Sequence, residues 1–250
     1  MRPYLTLLRR ELSSYFLGLS GYLLMAAVLM LLGLSFMLML VNGRGVAFNA
    51  PLTEVFYNSY SFWLVMLLAT PVITMRLFAL EKFTGTFEAL MTTPVSDLEV
   101  VLAKFSAALV FYLVIWLPML ACLHIVHAYT QPGEPFEWWP TASTYLGILL
   151  LGSLFLAMGC LASAVTRSQI IAATIGFVLG TSLFLLGFLT FGVTSGSGWL
   201  ARLAPYISSI AHMRDFARGV VDTRPVVFYI SGTVLFLFLT LKAVESRRWK

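Results

Sequence analysis

Charge is the scarcest resource in this chain. Only 11% of its 250 residues are Asp, Glu, Lys or Arg, against 60% apolar, which leaves too little polar side chain to cover a soluble domain of this size. The function is therefore to be sought at a bilayer. Cysteine is nearly absent too. Cys122 and Cys160 both fall inside apolar runs, where a thiol behaves as a small apolar group; a bond between them would require those two runs to pack face to face at one depth.

Several kinds of chemistry are missing. There is no G-x-x-x-x-G-K-[ST], and the four lysines, Lys82, Lys104, Lys242 and Lys250, follow no glycine-rich loop that could cradle phosphates. There is no H-E-x-x-H, no G-x-S-x-G and no carboxylate pair inside an apolar run, so hydrolytic and zinc chemistry have no visible site. The chain reads as a non-enzyme that binds no cofactor of its own. Cys122, His124 and His127 invite a metal reading, but Cys122 points about 200° away from His124 on a helix, and two imidazoles make a poor zinc site. The acidic residues lie in loops or at run ends, which argues against an ion-coupled carrier, since those need ionisable groups near mid-membrane. Any energy for transport has to come from another molecule.

What is present is a series of six membrane-length apolar runs, at roughly 19–41, 60–80, 105–128, 142–165, 170–193 and 226–244. They predict an all-α polytopic protein forming one membrane domain over 1–250. The first run is too long and too far from the start for a removed signal peptide. Six spans put both termini on one side. Placing them in the cytoplasm gathers Arg2, Arg9, Arg10, Arg76, Lys82, Lys104, Arg167, Lys242, Arg247, Arg248 and Lys250 there, 11 of the 16 basic residues, as the positive-inside rule requires. The net charge of +5 thus reports topology, with no basic aromatic face that would speak for nucleic acid.

Three segments lie outside the spans. In 1–17, Leu5, Leu8, Leu12 and Phe16 share a helical face, the pattern of an interfacial helix, with extension of the first span as the alternative. In 195–225, Ile210, Met213, Ala217 and Val221 share a face while Arg214, Asp215, Arg218 and Asp222 occupy others, which predicts a short amphipathic outer helix that caps an exit route or closes the bundle. Within the spans, Pro71 and Pro118 predict kinks, and Gly176 and Gly180 form a G-x-x-x-G pair for helix packing.

The charged segment 76–104 has a grammar of its own. Phe83, Phe87, Leu90 and Met91 follow helical spacing, leaving Glu81, Lys82 and Glu88 in water; Pro94 stops that helix, and Ser96-x-x-Glu99 is a capping box that starts the next. The string Glu81-Lys82-Phe83-Thr84-Gly85-Thr86-Phe87-Glu88-Ala89-Leu90-Met91-Thr92-Thr93-Pro94-Val95-Ser96 resembles the coupling-helix region of ABC-2-type transporter permeases, E-x-x-x-G-T-x-E-x-L-x-x-x-P-[VI]-[ST]. Gly219-Val220-Val221-Asp222 with Arg224, and the closing Arg247-Arg248-Trp249, resemble the gliding-motility branch of that family and, more loosely, the permease of nitrous-oxide-reductase maturation.

The resemblance implies two permease copies, or a copy and a relative, forming a twelve-span path in a bacterial cytoplasmic membrane. Each would pair with a separate cytosolic ATPase that uses ATP and grips the coupling helix. Thr84, Gly85, Thr86 and Glu88 would set the turn and start of that lever, with Phe83, Phe87 and Leu90 docking it and Glu81 and Pro94 at its limits. A second membrane protein with an extracytoplasmic domain is an implied partner. The mild polarity of the spans suits an amphiphile, a lipid-linked molecule or a polypeptide segment; the alternative is a scaffold that transmits force to an outer partner without moving cargo.

Overall fold

The computed structural model describes residues 2–43, 51–87, 95–130, 136–188 and 206–246. All regular structure among them is helical, in the order α1 (Arg2–Phe16), α2 (Leu19–Gly43), α3 (Leu52–Tyr57), α4 (Tyr60–Thr74), α5 (Ala79–Thr84), α6 (Asp97–Trp116), α7 (Pro118–Thr130), α8 (Trp138–Val165), α9 (Gln169–Leu186), α10 (Ser209–Ala217) and α11 (Thr223–Glu245). Six stretches are long and apolar enough to cross a membrane: Leu19–Met39, Tyr60–Thr84, Asp97–Tyr129, Trp138–Val165, Gln169–Leu186 and Thr223–Glu245. A helix satisfies its own backbone polar groups, which is why apolar runs of this length take that form in lipid.

The bundle is organised around α8. Of its most apolar stretch 83% is buried, against 28%, 22% and 17% for α2, α9 and α11, so α8 is the axis and those three present their outer faces to lipid or to another protein. It packs against α4, α6, α9, α10 and α11. Close approach along it depends on glycine. A methyl group at Gly159 would lie 2.0 Å from Thr74 Oγ1, and one at Gly152 2.3 Å from the buried Tyr112 ring, whereas at Gly176 and Gly180 it would meet nothing nearer than 3.5 and 3.7 Å. The tight contacts therefore fall on α8, and the G-x-x-x-G pair of α9 lies across from it at ordinary contact distance.

Pro71 and Pro118 sit differently within their spans. Pro118 does divide the third span, with a turn at Leu117 between α6 and α7. Pro71 lies inside α4 without interrupting it, and the chain turns only at 75–78. The capping box at the start of α6 is complete: Glu99 N donates to Ser96 Oγ at 3.2 Å, and Ser96 N donates to Glu99 Oε2 at 3.1 Å. The first segment is a helix in its own right, and α2 begins after a turn at 17–18. That turn brings the backbone so close that a methyl at Gly21 would sit 1.9 Å from the Tyr15 carbonyl oxygen.

Gly159→Ala is expected to destabilise the bundle by about 1–3 kcal/mol through overpacking against Thr74, and Gly180→Ala to be neutral or slightly stabilising, as a helical glycine-to-alanine change with room for the methyl. Thermal unfolding of the two variants side by side in detergent checks this; equal midpoints would show that α8 does not require the glycine.

Candidate functional site

The residues of the charged segment converge at one end of the bundle, where α5 meets α1, α6 and α8. After α4 ends, the turn at 75–78 aims the chain across the end of α8, and four hydrogen bonds fasten it there. Ser163 Oγ, near the last turn of α8, accepts from Phe78 N and Ala79 N, both at 3.0 Å, and donates to Met75 O at 3.2 Å. In return the Lys82 ammonium donates to Ala164 O. Each helix thus satisfies terminal backbone groups of the other, groups that have no partner within their own helix. Lys82 is buried, with its charge 5.2 Å from the centre of the Phe87 ring.

The other face of α5 carries Glu81, which enters a compact set of four charges. Arg10 Nη2 lies 2.7 Å from Glu11 Oε1 and 2.8 Å from Glu81 Oε1; Lys104 Nζ lies 3.0 and 2.9 Å from the same two oxygens. Two cations and two carboxylates balance, which is the condition for burying them at all. The Lys104 side chain is 3% exposed and Arg10 52%, so the pairs to Lys104 carry the energetic weight and the solvent-screened pairs to Arg10 add little. Burial alone would raise the Glu11 carboxyl, but Lys104 and Arg10 outweigh it and hold the group below its ordinary value. Glu81 Oε2 is buried without a hydrogen-bond partner, facing a cleft of about 270 Å³ that Arg76 and Tyr15 also line.

This arrangement docks α1. Tyr4 OH donates to Ser106 Oγ at 3.0 Å, Tyr15 OH donates to Ile73 O at 2.8 Å, and the Tyr15 ring stacks on Phe111 at 4.7 Å. Tyr4, Leu7, Glu11 and Tyr15 form the face turned to the bundle, while Leu5 is exposed. Helix α1 is therefore packed against the core.

Two expectations need correcting. Glu81 and Lys82 are not in water: both are drawn into the joint, because buried partners from helices distant in sequence neutralise or cap them. The helix that was to carry Phe83 and Phe87 on one face stops at Thr84, with Gly85 at φ 76°. A left-handed residue resets the helical phase, so Phe83 is 75% exposed and Phe87 8%. Thr84 Oγ1 donates to Leu80 O at 3.0 Å and lies 2.9 Å from Thr86 Oγ1, closing the end of α5. Glu88, Leu90 and Pro94 lie outside the described residues, as do Met91, Arg247, Arg248 and Trp249.

At the opposite end the α10 segment is fastened by three bonds from α3 and α8. Thr53 Oγ1 donates to Ala217 O at 2.7 Å, Trp139 Nε1 to Gly219 O at 2.7 Å, and Ser143 Oγ to Phe216 O. Arg218 forms a forked pair with Glu54 Oε1 at 2.9 and 2.6 Å. Ile210, Met213 and Ala217 are buried as expected, but Val221 lies beyond the helix end and is 42% exposed, because Gly219 at φ 84° ends the helical phase first. Asp222 caps α11, accepting from Arg224 N at 3.2 Å, and Asp215 is exposed. His124 and His127 both pack on the Phe136 ring, at 5.6 and 5.4 Å. Among the described residues no group of three or more metal-ligating side chains occurs, and Cys122 and Cys160 are free thiols. Ser163 escaped sequence reading altogether; a lone serine in an apolar run carries no local sign of the two backbone donors it will serve.

Taken together, the chain is a six-span α-helical membrane protein with a buried charged junction where a crossing segment between the second and third spans meets the bundle's axis. Residues 20–183 match the family model described as ABC-2 family transporter protein, and the chain belongs to that family. No characterised protein matches it significantly. The family is one of membrane permeases, and this places the chain as the membrane-embedded part of an ABC transporter, with a cytosolic ABC ATPase as its partner.

Lys104→Met leaves two buried carboxylates without their principal cation and is expected to cost about 3–5 kcal/mol, read as a lower unfolding midpoint, with Arg10→Met costing under about 1 kcal/mol. Since Glu11 is held below its ordinary value of 4.5, its contribution is complete above that pH and is lost as pH falls through the depressed value. Amide exchange of α1 in detergent should accelerate relative to α8 only below about pH 4.5; protection of α1 that is unchanged down to pH 3 would contradict the assignment.

Proposed function

We propose that the chain is the permease subunit of an ATP-driven exporter, with α1, α5 and both termini on the cytoplasmic face of a bacterial cytoplasmic membrane, and with the ATPase gripping the segment that follows Gly85. The observation that carries this reading is the double joint between α5 and α8. A push on the chain beyond Thr84 acts on a helix end bonded to the bundle's axis through Ser163 and Lys82, and to α1 and α6 through Glu81. Helix α8, 28 residues and about 42 Å long, carries the displacement to its far end, where Ser143 holds α10. Rigid-element transmission of this kind is how small movements at an effector site reach a distant one.

Two copies of the chain, or a copy and a relative, would complete the path; the weakly buried faces of α2, α9 and α11 supply surface for that and for lipid. Gly219–Asp222 with Arg224 supports a place near the gliding-motility branch. A second reading, a scaffold that delivers ATPase-driven force to a protein with an extracytoplasmic domain, draws on the rigid attachment of α10 to α3 and α8. Movement of cargo in sealed vesicles separates the two.

The test is co-purification with the cognate ATPase in nanodiscs. Ser163→Ala and Lys82→Met are expected to retain complex formation and to lose most of the permease-dependent stimulation of ATP hydrolysis, because each removes one half of the joint. Stimulation at the parent level in both variants would reject α5 as the coupling element.

A further inference from the structure

A groove of about 620 Å³ opens on the bundle surface between α4 and α9, at the α10 end. That is the volume range of small-molecule sites. Its floor is apolar and aromatic: the Trp63 and Phe184 rings lie 4.6 Å apart, Phe188 stands edge-on to Phe184 at 5.3 Å, and Leu67 and Phe177 continue the floor. From Phe177 to Phe188 it follows eleven residues, about 16 Å at the helical rise, which suits a single extended hydrocarbon chain.

The polar end of the groove is one-sided. Arg214, half-buried on α10, lines it together with Tyr57 and the exposed Asn58. Arg214 has no ion pair among the described residues, whereas its neighbour on the next turn, Arg218, is held by Glu54. Burial pushes the Tyr57 phenol well above its ordinary range, so no negative charge arises there to satisfy the guanidinium. The Tyr57 hydroxyl is already committed to Ile210 O. A partly desolvated guanidinium without a carboxylate calls for one, and its planar fork suits a carboxylate accepting two bonds. A single cation balances a monoanion; a doubly charged headgroup would leave charge uncompensated.

We propose that this groove is a binding site for a single-chain carboxylate amphiphile, its headgroup on Arg214 and its tail along Trp63, Leu67 and Phe177. The proposal deepens the exporter reading by naming a substrate class and rests on that reading for the outward orientation of Arg214. Binding itself needs no ATPase.

The test uses the whole protein in phosphatidylcholine nanodiscs, exposed to a photoreactive medium-chain fatty acid or to the corresponding alcohol, with adducts located by mass spectrometry. The acid should label 57–68 and 177–188 about tenfold more than the alcohol, the factor expected for one charge-assisted contact. Arg214→Gln should bring acid labelling down to the alcohol level without changing the unfolding midpoint, and Leu67→Trp, which fills the floor, should reduce labelling by both probes. Equal labelling by acid and alcohol, labelling unaffected by either substitution, or efficient crosslinking of two chains through Leu64→Cys, which would put a second copy in the groove, overturns the proposal. If the groove labels as expected while the permease fails to stimulate an ATPase, the site stands and the exporter reading falls; if labelling fails while coupling is seen, the reverse holds.

Discussion

Everything at the α1 end of this protein depends on how the chain crosses the end of α8. A segment entering there brings unpaired backbone donors, and the end of α8 brings unpaired carbonyls, in surroundings where neither can be left unmet without a cost of about 1–3 kcal/mol each. Ser163 and Lys82 resolve both demands at once. The solution fixes the direction of α5, and that direction places Glu81 within reach of Lys104 and Arg10. The position of α1 follows in turn, because Glu11 completes the balance of charge. One hydroxyl and one ammonium thus set the geometry on which three other helices settle.

The same logic explains why a chain so poor in charge spends it as it does. Lys104 sits near the start of a membrane span, where an isolated ammonium would be costly. Two carboxylates and the nearby Phe78 ring, 5.5 Å away, make it tolerable. Breaking such a set costs more than forming it gains, so its use is to specify one arrangement of α1, α5 and α6. At the far end the polar contacts are of a different kind. Hydroxyl and indole donors from α3 and α8 cover the last carbonyls of the α10 segment, and the Arg218–Glu54 ion pair adds register. Helix α8 connects the two ends, and its tight glycines keep α4 and α6 against it along the way.

Much of the architecture could be read locally. Six spans, the separate first helix, the capping box at Ser96 and Glu99 and the division of the third span at Pro118 all rest on signals within a few residues of one another. The departures have two causes. Helical spacing gives Phe83 and Phe87 a common face only in an unbroken helix, and a glycine in the left-handed region breaks it. Charge near a span end ordinarily lies in water, and nothing close in sequence reveals that Arg10, Lys104 and Ala164 will meet Glu81 and Lys82. Val221 fails for the same reason as Phe83, with Gly219 in the role of Gly85.

The sequence by itself determined the class of the protein: helical, membrane-spanning, and bearing between its second and third spans a segment similar to that of ABC-2 permeases. Those properties follow from run length, hydropathy and short motifs, which act locally and survive without knowledge of packing. Only the tertiary structure decided which charges are buried pairs, which helix is the axis, and that Arg214 has no carboxylate partner among the described residues. The partners in those contacts stand far apart in the chain, 71 residues for Arg10 and Glu81 and 93 for Glu11 and Lys104. Charge neutralisation in a low-dielectric interior is a property of the assembled site, so the charged segment has its final character only once α1, α6 and α8 have closed around it.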